Sequence, residues 1–130
     1  MEPTHCPCGS QKLFSDCCEP YLKGYKNAET PETLMRSRYS AYSLAQIDYI
    51  QKTMREKAAK NYDPISAYQW ASSVQWLGLE VKHASAVKKD TGTVTFIARF
   101  LENNKECCIY EKSRFKKING LWFYVDGEMK

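Results

Sequence analysis

Four of the six cysteines in this 130-residue chain lie within its first 18 residues, at the spacing of a metal site. A pair separated by one residue is followed, after eight further residues, by a vicinal pair: Cys6, Cys8, Cys17 and Cys18. Pro7 and Gly9 suit a tight turn between ligands, since one restricts φ and the other tolerates positive φ. Four thiolates favour tetrahedral zinc or another soft metal in a closed structural site. Two disulfides are the alternative, which the absence of a secretion signal in the first five residues disfavours.

A second group of polar side chains lies in an apolar stretch near the C-terminus. Strand alternation over residues 105–118 places five side chains on one face: Cys107, Ile109, Glu111, Ser113 and Phe115. A carboxylate is costly to bury alone, and Arg36 or Arg38 from a helix could supply the opposing charge. We favour a buried Glu–Arg pair that fixes the helix on the sheet. The alternative is a ligand pocket formed by Arg38, Glu111, Ser113 and Phe115.

Catalysis has little support in the sequence. The chain has two histidines, and alternation places His83 on the same strand face as Leu79, where a partly buried structural histidine is expected rather than a base. There is no Ser/Cys–His–Asp set, phosphate-binding glycine loop or HExxH motif. Glu111, Ser113 and His83 are therefore weak catalytic candidates, and an enzyme is the less favoured class.

Two other features of the same strand have alternative interpretations. Cys107 and Cys108 project to opposite faces and should not pair, so we expect Cys107 to fill the core and Cys108 to be an exposed, oxidisable thiol. The outward face carries a basic strip: Lys112, Arg114, Lys116 and Lys117. We expect a solvated sheet face, and the alternative is a salt-sensitive contact with RNA phosphates.

Two periodicities predict the elements that position these groups. Residues 1–30 contain no apolar run long enough for an ordinary helix or strand, so this segment needs a bound metal ion or a disulfide to hold it folded. Thr30-Pro31 has the residue types of a helix start, and the apolar residues after it recur at helical spacing, which predicts one or two helices to about residue 58. Asp63-Pro64 predicts the start of another helix. The period then becomes two, which predicts four strands joined as antiparallel hairpins, near residues 77–82, 93–100, 105–118 and 121–126. The layout predicts an α+β domain with helices on one sheet face.

Composition limits the class of protein. The chain is 43% hydrophobic and 13% aromatic, enough for a core, and no apolar run approaches the roughly 20 residues of a membrane span. The net charge of +4 falls to +2 once four thiolates and one divalent cation are counted. That is too small to indicate nucleic-acid binding, so we expect no direct DNA binding. A soluble cytoplasmic protein is expected.

The segment CPCGSQKLFSDCC closely resembles the SEC-C metal-binding motif found at the C-terminus of the SecA translocation ATPase. Five further segments resemble the YchJ family in order: LMRSRYSAY (34–42), WLGLEV (76–81), FIARF (96–100), EKSRF (111–115) and LWFYVDG (121–127). That family joins a SEC-C motif to a domain similar to nuclear transport factor 2 and the SnoaL-like proteins. The resemblance implies a knuckle and linker over residues 1–30 and a cystatin-like, SnoaL-like cone with a curved sheet over 31–130.

The resemblance also implies functional residues. The four clustered cysteines match the SEC-C ligands, so zinc is the implied metal, with iron as an alternative; adjacent His5 could replace a cysteine but is expected to be a solvated neighbour. In SecA the motif resembles a zinc-dependent contact for the SecB chaperone and the ribosome. Many relatives carry Trp-His-Pro where this chain has Thr53-Met54-Arg55, so no role for that histidine is carried over.

Three functional hypotheses follow. The first is an interaction module whose zinc knuckle contacts the ribosome, nascent-chain machinery or a chaperone. The second is a small-molecule binder or enzyme that uses the cone pocket near Glu111. The third is an iron or thiol redox role. Fold analogy adds the expectation that a dimer could form through the sheet.

Overall fold

The computed structural model describes residues 4–130; residues 1–3, which belong to the stretch expected to lack a secretion signal, lie outside the described residues. A 3₁₀ turn over Phe14–Asp16 comes first. The following elements are α1 (Glu19–Leu22), α2 (Pro31–Ser43), α3 (Ile47–Lys52), α4 (Glu56–Ala59), α5 (Pro64–Ser73), β1 (Gln75–Ala84), β2 (Thr91–Glu102), β3 (Lys105–Ile118) and β4 (Leu121–Met129). The α+β prediction is confirmed. No helix within residues 4–130 is both long and apolar enough to cross a membrane.

The two longest helices begin at the predicted caps. The side chain of Thr30 accepts a hydrogen bond from the Thr33 N–H at 3.1 Å, and Pro31 occupies the first turn of α2. Asp63 accepts from the N–H groups of Ile65 and Ser66 at 3.0 and 3.2 Å at the start of α5. Each cap satisfies backbone donors that have no partner within the helix.

The sheet is an antiparallel meander in the order β1-β2-β3-β4. Two-residue turns join β2 to β3 and β3 to β4, and Asn103, Asn104, Asn119 and Gly120 adopt positive φ there, as primed hairpin turns require. Residues 85–90 form a longer connection between β1 and β2. The register pairs Phe96 with Glu111 and Val94 with Ser113. This register fixes which β3 side chains face the helices.

The first strand departs from simple alternation at two bulges. Trp76 lies opposite Phe100, but Gly78 lies opposite Arg99, so Leu77 is an extra residue and is exposed. A second shift, between Val81 and His83, turns His83 to the opposite sheet face. His83 is therefore exposed, which corrects the expectation of a partly buried histidine.

The segment between α3 and α4 covers the edge of β4. The Arg55 N–H donates to the Tyr124 carbonyl at 3.0 Å, and the Tyr124 N–H donates to the Thr53 carbonyl at 2.9 Å. Met54 bridges Tyr124 in parallel orientation. These bonds pair backbone groups that an edge strand would otherwise leave open.

The cysteine knuckle packs into the same core as the helices. Cys6, Cys8 and Cys18 are buried in one cluster with Leu34 and other α2 side chains. Gly9 adopts φ +80°, and a Cβ at this position would lie 3.1 Å from the Leu79 carbonyl oxygen of β1. The knuckle therefore contacts both α2 and β1, and glycine permits the close approach.

We expect Gly9→Ala to destabilise the metal-loaded protein more than Gly24→Ala does. Both glycines have positive φ, but a Cβ at Gly24 meets nothing within 4 Å. The left-handed backbone costs about 1–2 kcal/mol in both variants, and crowding against β1 adds about 1–3 kcal/mol in Gly9→Ala. Urea unfolding measures the difference. Equal losses in the two variants would show that the knuckle does not pack tightly on β1.

Candidate metal centre and cavity

The four predicted cysteine ligands converge in the knuckle. Their sulfur atoms all lie within 4.8 Å of one another. The Cys8 and Cys17 sulfurs are 3.6 Å apart, and the Cys17 and Cys18 sulfurs are 3.9 Å apart. A disulfide needs about 2.05 Å, whereas a tetrahedral metal with bonds of about 2.3 Å has sulfur–sulfur edges of about 3.8 Å. The donor set and its spacing fit a metal ion, and all four cysteines are free thiols.

Local backbone structure brings the two cysteine pairs together. The Cys6 N–H donates to the Lys12 carbonyl at 2.8 Å, which closes the loop after the first pair. The Cys17 N–H donates to the Phe14 carbonyl at 3.1 Å and ends the 3₁₀ turn in front of the second pair. His5 pairs with Leu13 through the backbone, is exposed and lies outside the group of four sulfurs.

Helix α2 contacts the cysteine cluster through two side chains one turn apart. Arg36 donates from Nη1 to the Cys8 carbonyl at 2.8 Å and reaches the Cys8 sulfur at 3.9 Å. Its Nε is held by Glu32 at 3.0 Å. The Ser40 hydroxyl lies 3.5 Å from the Cys6 sulfur. A guanidinium and a hydroxyl beside thiolates offset the negative charge that a four-thiolate site creates.

The thiols are strongly coupled to one another. A hydrogen bond from Cys18 lowers the pKa of Cys8 to about 4, and the same interaction raises the pKa of Cys18. Burial raises the pKa of Cys17, and the Ser10 hydroxyl, 3.1 Å from its sulfur, partly opposes this. Without metal, one thiolate is stabilised by a neighbouring thiol. Metal binding must displace the protons of Cys17 and Cys18, so it competes with acid.

A separate cavity of about 160 Å³ lies between α2, α5 and the sheet. Of the predicted pocket residues, Arg38, Glu111 and Ser113 line it. Phe115 is outside its lining: it is 1% exposed and packs against the Tyr124 ring at 5.8 Å between centroids. Phe115 thus fills the core one pleat further along β3.

The favoured Glu–Arg ion pair does not form. Glu111 accepts hydrogen bonds from the hydroxyls of Ser113 and Tyr124, the latter at 2.9 Å. Arg38 donates to the Ile50 carbonyl at 2.9 Å and to the Thr53 hydroxyl at 2.7 Å. Positions 36 and 38 of a helix point about 200° apart, which directs one arginine to the knuckle and the other to α3 and the cavity. The prediction of a helix–sheet ion pair was wrong because Arg36 faces the knuckle and the hydrogen bonds of Arg38 go to α3.

Two of the four residues of the basic strip on β3 pair with acidic groups. Arg114 contacts Asp126 at 3.1 Å and Glu128 at 3.3 Å, and Lys116 contacts Glu56 at 2.8 Å. The alternative of an RNA contact through this strip stays a prediction. On the same strand, Cys107 is only half-buried and does not fill the core as expected, whereas Cys108 is exposed as predicted.

Several functional side chains were not identified from the sequence. Arg36 was considered only as a partner for Glu111, although its four-residue spacing from both Glu32 and Ser40 places all three on one helix face. The cavity is also lined by Tyr124, Trp70 and Trp76. The sequence did not indicate this role, because nothing in it distinguishes these residues from other core aromatic residues.

Helices on a four-stranded antiparallel sheet, preceded by a four-cysteine knuckle, define a nuclear-transport-factor-2-like domain with a SEC-C motif. Residues 30–127 match the family described as YchJ, middle NTF2-like domain, and residues 6–20 match the SEC-C motif. The chain belongs to the YchJ family.

The relatives agree with this assignment over most of their length. The UPF0225 protein YchJ of Shigella dysenteriae serotype 1 (strain Sd197) is 44% identical over 126 residues, which cover 94% of this chain and 81% of the relative. A UPF0225 protein of Geobacter sulfurreducens is 41% identical over 124 residues, covering 94% and 77%.

Solved structures give the same result. The solution structure of a SEC-C motif-containing protein from Rhodopseudomonas palustris has a TM-score of 0.87 at 40% identity, covering 96% of this chain and 98% of that one. A crystal structure of another such protein, from Psychrobacter arcticus, has a TM-score of 0.83 at 32% identity, covering 96% and 82%.

We expect Arg36→Met to speed the loss of bound metal to a chelator by about 10–100-fold, the usual range for outer-shell partners. The substitution removes the charge beside Cys8 and the hydrogen bond to its carbonyl while keeping an aliphatic stem. Glu32→Gln is the matched control, since it removes only the half-exposed ion pair with Arg36. Stopped-flow transfer of zinc to a chromophoric chelator measures both rates. The same rate in both variants would contradict a role for Arg36 at the centre.

Proposed function

We propose that this protein is an interaction module in which a structural zinc ion fixes the knuckle, and that the knuckle contacts the ribosome, nascent-chain machinery or a chaperone. The observation that carries the proposal is the convergence of four cysteine sulfurs at tetrahedral spacing. Four thiolates complete the coordination of zinc and leave no position for water or substrate. The metal would therefore stabilise a surface rather than perform chemistry.

Zinc is proposed over iron because divalent zinc binds a given ligand set more tightly than ferrous iron. The neighbours of the thiolates, Arg36, Ser10 and Ser40, supply hydrogen bonds and charge compensation to either divalent metal. A zinc-loaded protein would be colourless, whereas a ferric four-thiolate site would be coloured.

The loop between the two cysteine pairs is the surface that the metal would order. Gly9, Gln11 and Lys12 are exposed, and Gln11 adopts φ 70°. The Lys12 N–H donates to the Ser10 hydroxyl at 3.2 Å, which fixes the loop between the ligands. Preorganising such a loop lowers the entropy cost of binding a partner. Lys12 gives it a positive charge suited to an acidic partner, including ribosomal RNA.

We place this activity in the cytoplasm, where thiols stay reduced. The exposed thiol of Cys108 and the metal-binding cysteines fit a reducing compartment. A redox role would instead require a metal that changes oxidation state or a labile cysteine pair, and Cys107 and Cys108 lie on opposite strand faces.

Sedimentation of gently lysed cell extract through a sucrose gradient tests the proposal. The native protein should migrate with ribosomes and return to the top of the gradient after treatment with a zinc chelator. Lys12→Glu should keep its zinc and lose most of the ribosomal fraction. Lys117→Glu, which changes an exposed lysine on β3, is the matched control and should sediment like the native protein.

Two outcomes would count against the proposal. If the native protein stays at the top of the gradient in both conditions, the ribosome is not its partner, and crosslinking to nascent-chain factors and chaperones becomes the test of the remaining alternatives. Migration with ribosomes that survives complete zinc removal would contradict a metal-ordered contact surface.

A further inference from the structure

Arg38 is a buried cation without an anionic partner. The residue is only 6% exposed, and it takes part in none of the ion pairs within residues 4–130. Burial lowers the pKa of Arg38, the direction expected for a cation removed from water. Its guanidinium stacks on the Tyr124 ring at 4.7 Å, which compensates only part of the lost hydration.

Part of this guanidinium faces open space. The hydrogen bonds to Ile50 and Thr53 both come from Nη1, and the described residues offer no acceptor to Nε or Nη2. Across the described part of the chain, no fully buried side-chain nitrogen or oxygen lacks a partner. The remaining nitrogens therefore border a space, and the space that Arg38 lines is the 160 Å³ cavity.

The other walls of the cavity are mainly apolar and aromatic. They include Trp70, Trp76, Phe96, Ala98 and Ile109. A cavity of about 150 Å³ holds one benzene molecule, so this one suits a ligand of similar bulk. Tyr42, at the same wall, already pairs its hydroxyl with Tyr62 at 3.3 Å.

The opposite polar wall limits the charge of the ligand. Glu111 lines the cavity and is held as an acceptor by Ser113 and Tyr124. A carboxylate there repels an anionic ligand in proportion to the ligand's charge, so a dianion such as phosphate is disfavoured relative to a monoanion. A ligand with one negative charge beside Arg38 and an apolar body between the tryptophans fits both the polar and the apolar walls of the cavity.

We propose that this cavity binds a small monocarboxylate with an apolar body about the size of a benzene ring, whose carboxylate accepts hydrogen bonds from Arg38. The planar guanidinium matches a carboxylate geometrically, and the pair would neutralise a charge that the fold buries alone. This ligand site does not depend on the proposed role of the knuckle, because all of its ligand contacts are made by the domain that follows the knuckle.

Titration of the zinc-loaded protein with benzoate tests the proposal, with neutral benzamide as the matched probe of the same shape. Calorimetry and the fluorescence of Trp70 and Trp76 report binding. We expect benzoate to bind at least tenfold more tightly than benzamide, since a charge-assisted pair is lost with the neutral ligand. Acetate, butyrate and cyclohexanecarboxylate complete the panel, and the larger two should bind more tightly than acetate.

Two variants locate the site. Ala98→Leu fills the cavity and leaves Arg38 in place, so it should abolish benzoate binding; Ala84→Leu makes the same change at an exposed β1 position and should bind normally. Arg38→Gln should lose the preference for benzoate over benzamide. Because Arg38 also anchors α3, circular dichroism and thermal unfolding are used to check that each variant is folded. If Arg38→Gln does not fold, the result for Ala98→Leu decides whether the ligand binds in this cavity.

Three results would overturn the proposal. The first is that no carboxylate of the panel binds to the folded native protein. The second is that benzoate and benzamide bind equally well, which would remove the role of the Arg38 charge. The third is that binding persists unchanged in Ala98→Leu, which would place the ligand elsewhere.

Discussion

The contact between the cysteine cluster and α2 is the interaction on which the rest of this structure depends. The knuckle is too short to bury a core of its own, and three of its four cysteines instead share the core formed by α2. Arg36 holds the Cys8 carbonyl, and Ser40 lies beside the Cys6 sulfur. A metal bound to the four sulfurs would therefore link the N-terminal segment to the helix that carries most of the domain's buried polar groups.

The periodicity of α2 gives this one helix two different environments. Positions 36 and 40 share the face toward the cysteines, whereas positions 38 and 42 share the face toward the cavity. Ser37 lies between these faces and bonds the Tyr49 hydroxyl at 2.7 Å, which fixes α3 against α2. The metal centre and the cavity thus lie on opposite sides of one helix.

Much of the fold could be predicted from the sequence because its signals are local. The caps at Thr30 and Asp63 and the asparagine turns at residues 103–104 and 119–120 each act within a few residues. The two longest helices begin, and the last two hairpins turn, where these signals place them. The four sulfurs converge as the motif indicated.

The failures were long-range or depended on strict periodicity. Alternation along β1 ignores bulges, and the bulge between Val81 and His83 turned His83 away from its expected environment. The side chain of Arg38 bonds α3 rather than Glu111, which depends on the packing angle between helices and not on the sequence near either residue. Cavities arise from the same packing, so Phe115 could share the face of Glu111 and still lie outside the cavity.

The central claim is that one metal ion is held by all four knuckle cysteines, and mass spectrometry with thiol alkylation tests it most directly. Native spectra of the purified protein should show one zinc per chain. An alkylating reagent should modify Cys108 at once and the four knuckle cysteines only after chelation, since Cys108 is exposed and outside the cluster. A metal-free chain, or knuckle cysteines that react as fast as Cys108 in the untreated protein, would contradict the account.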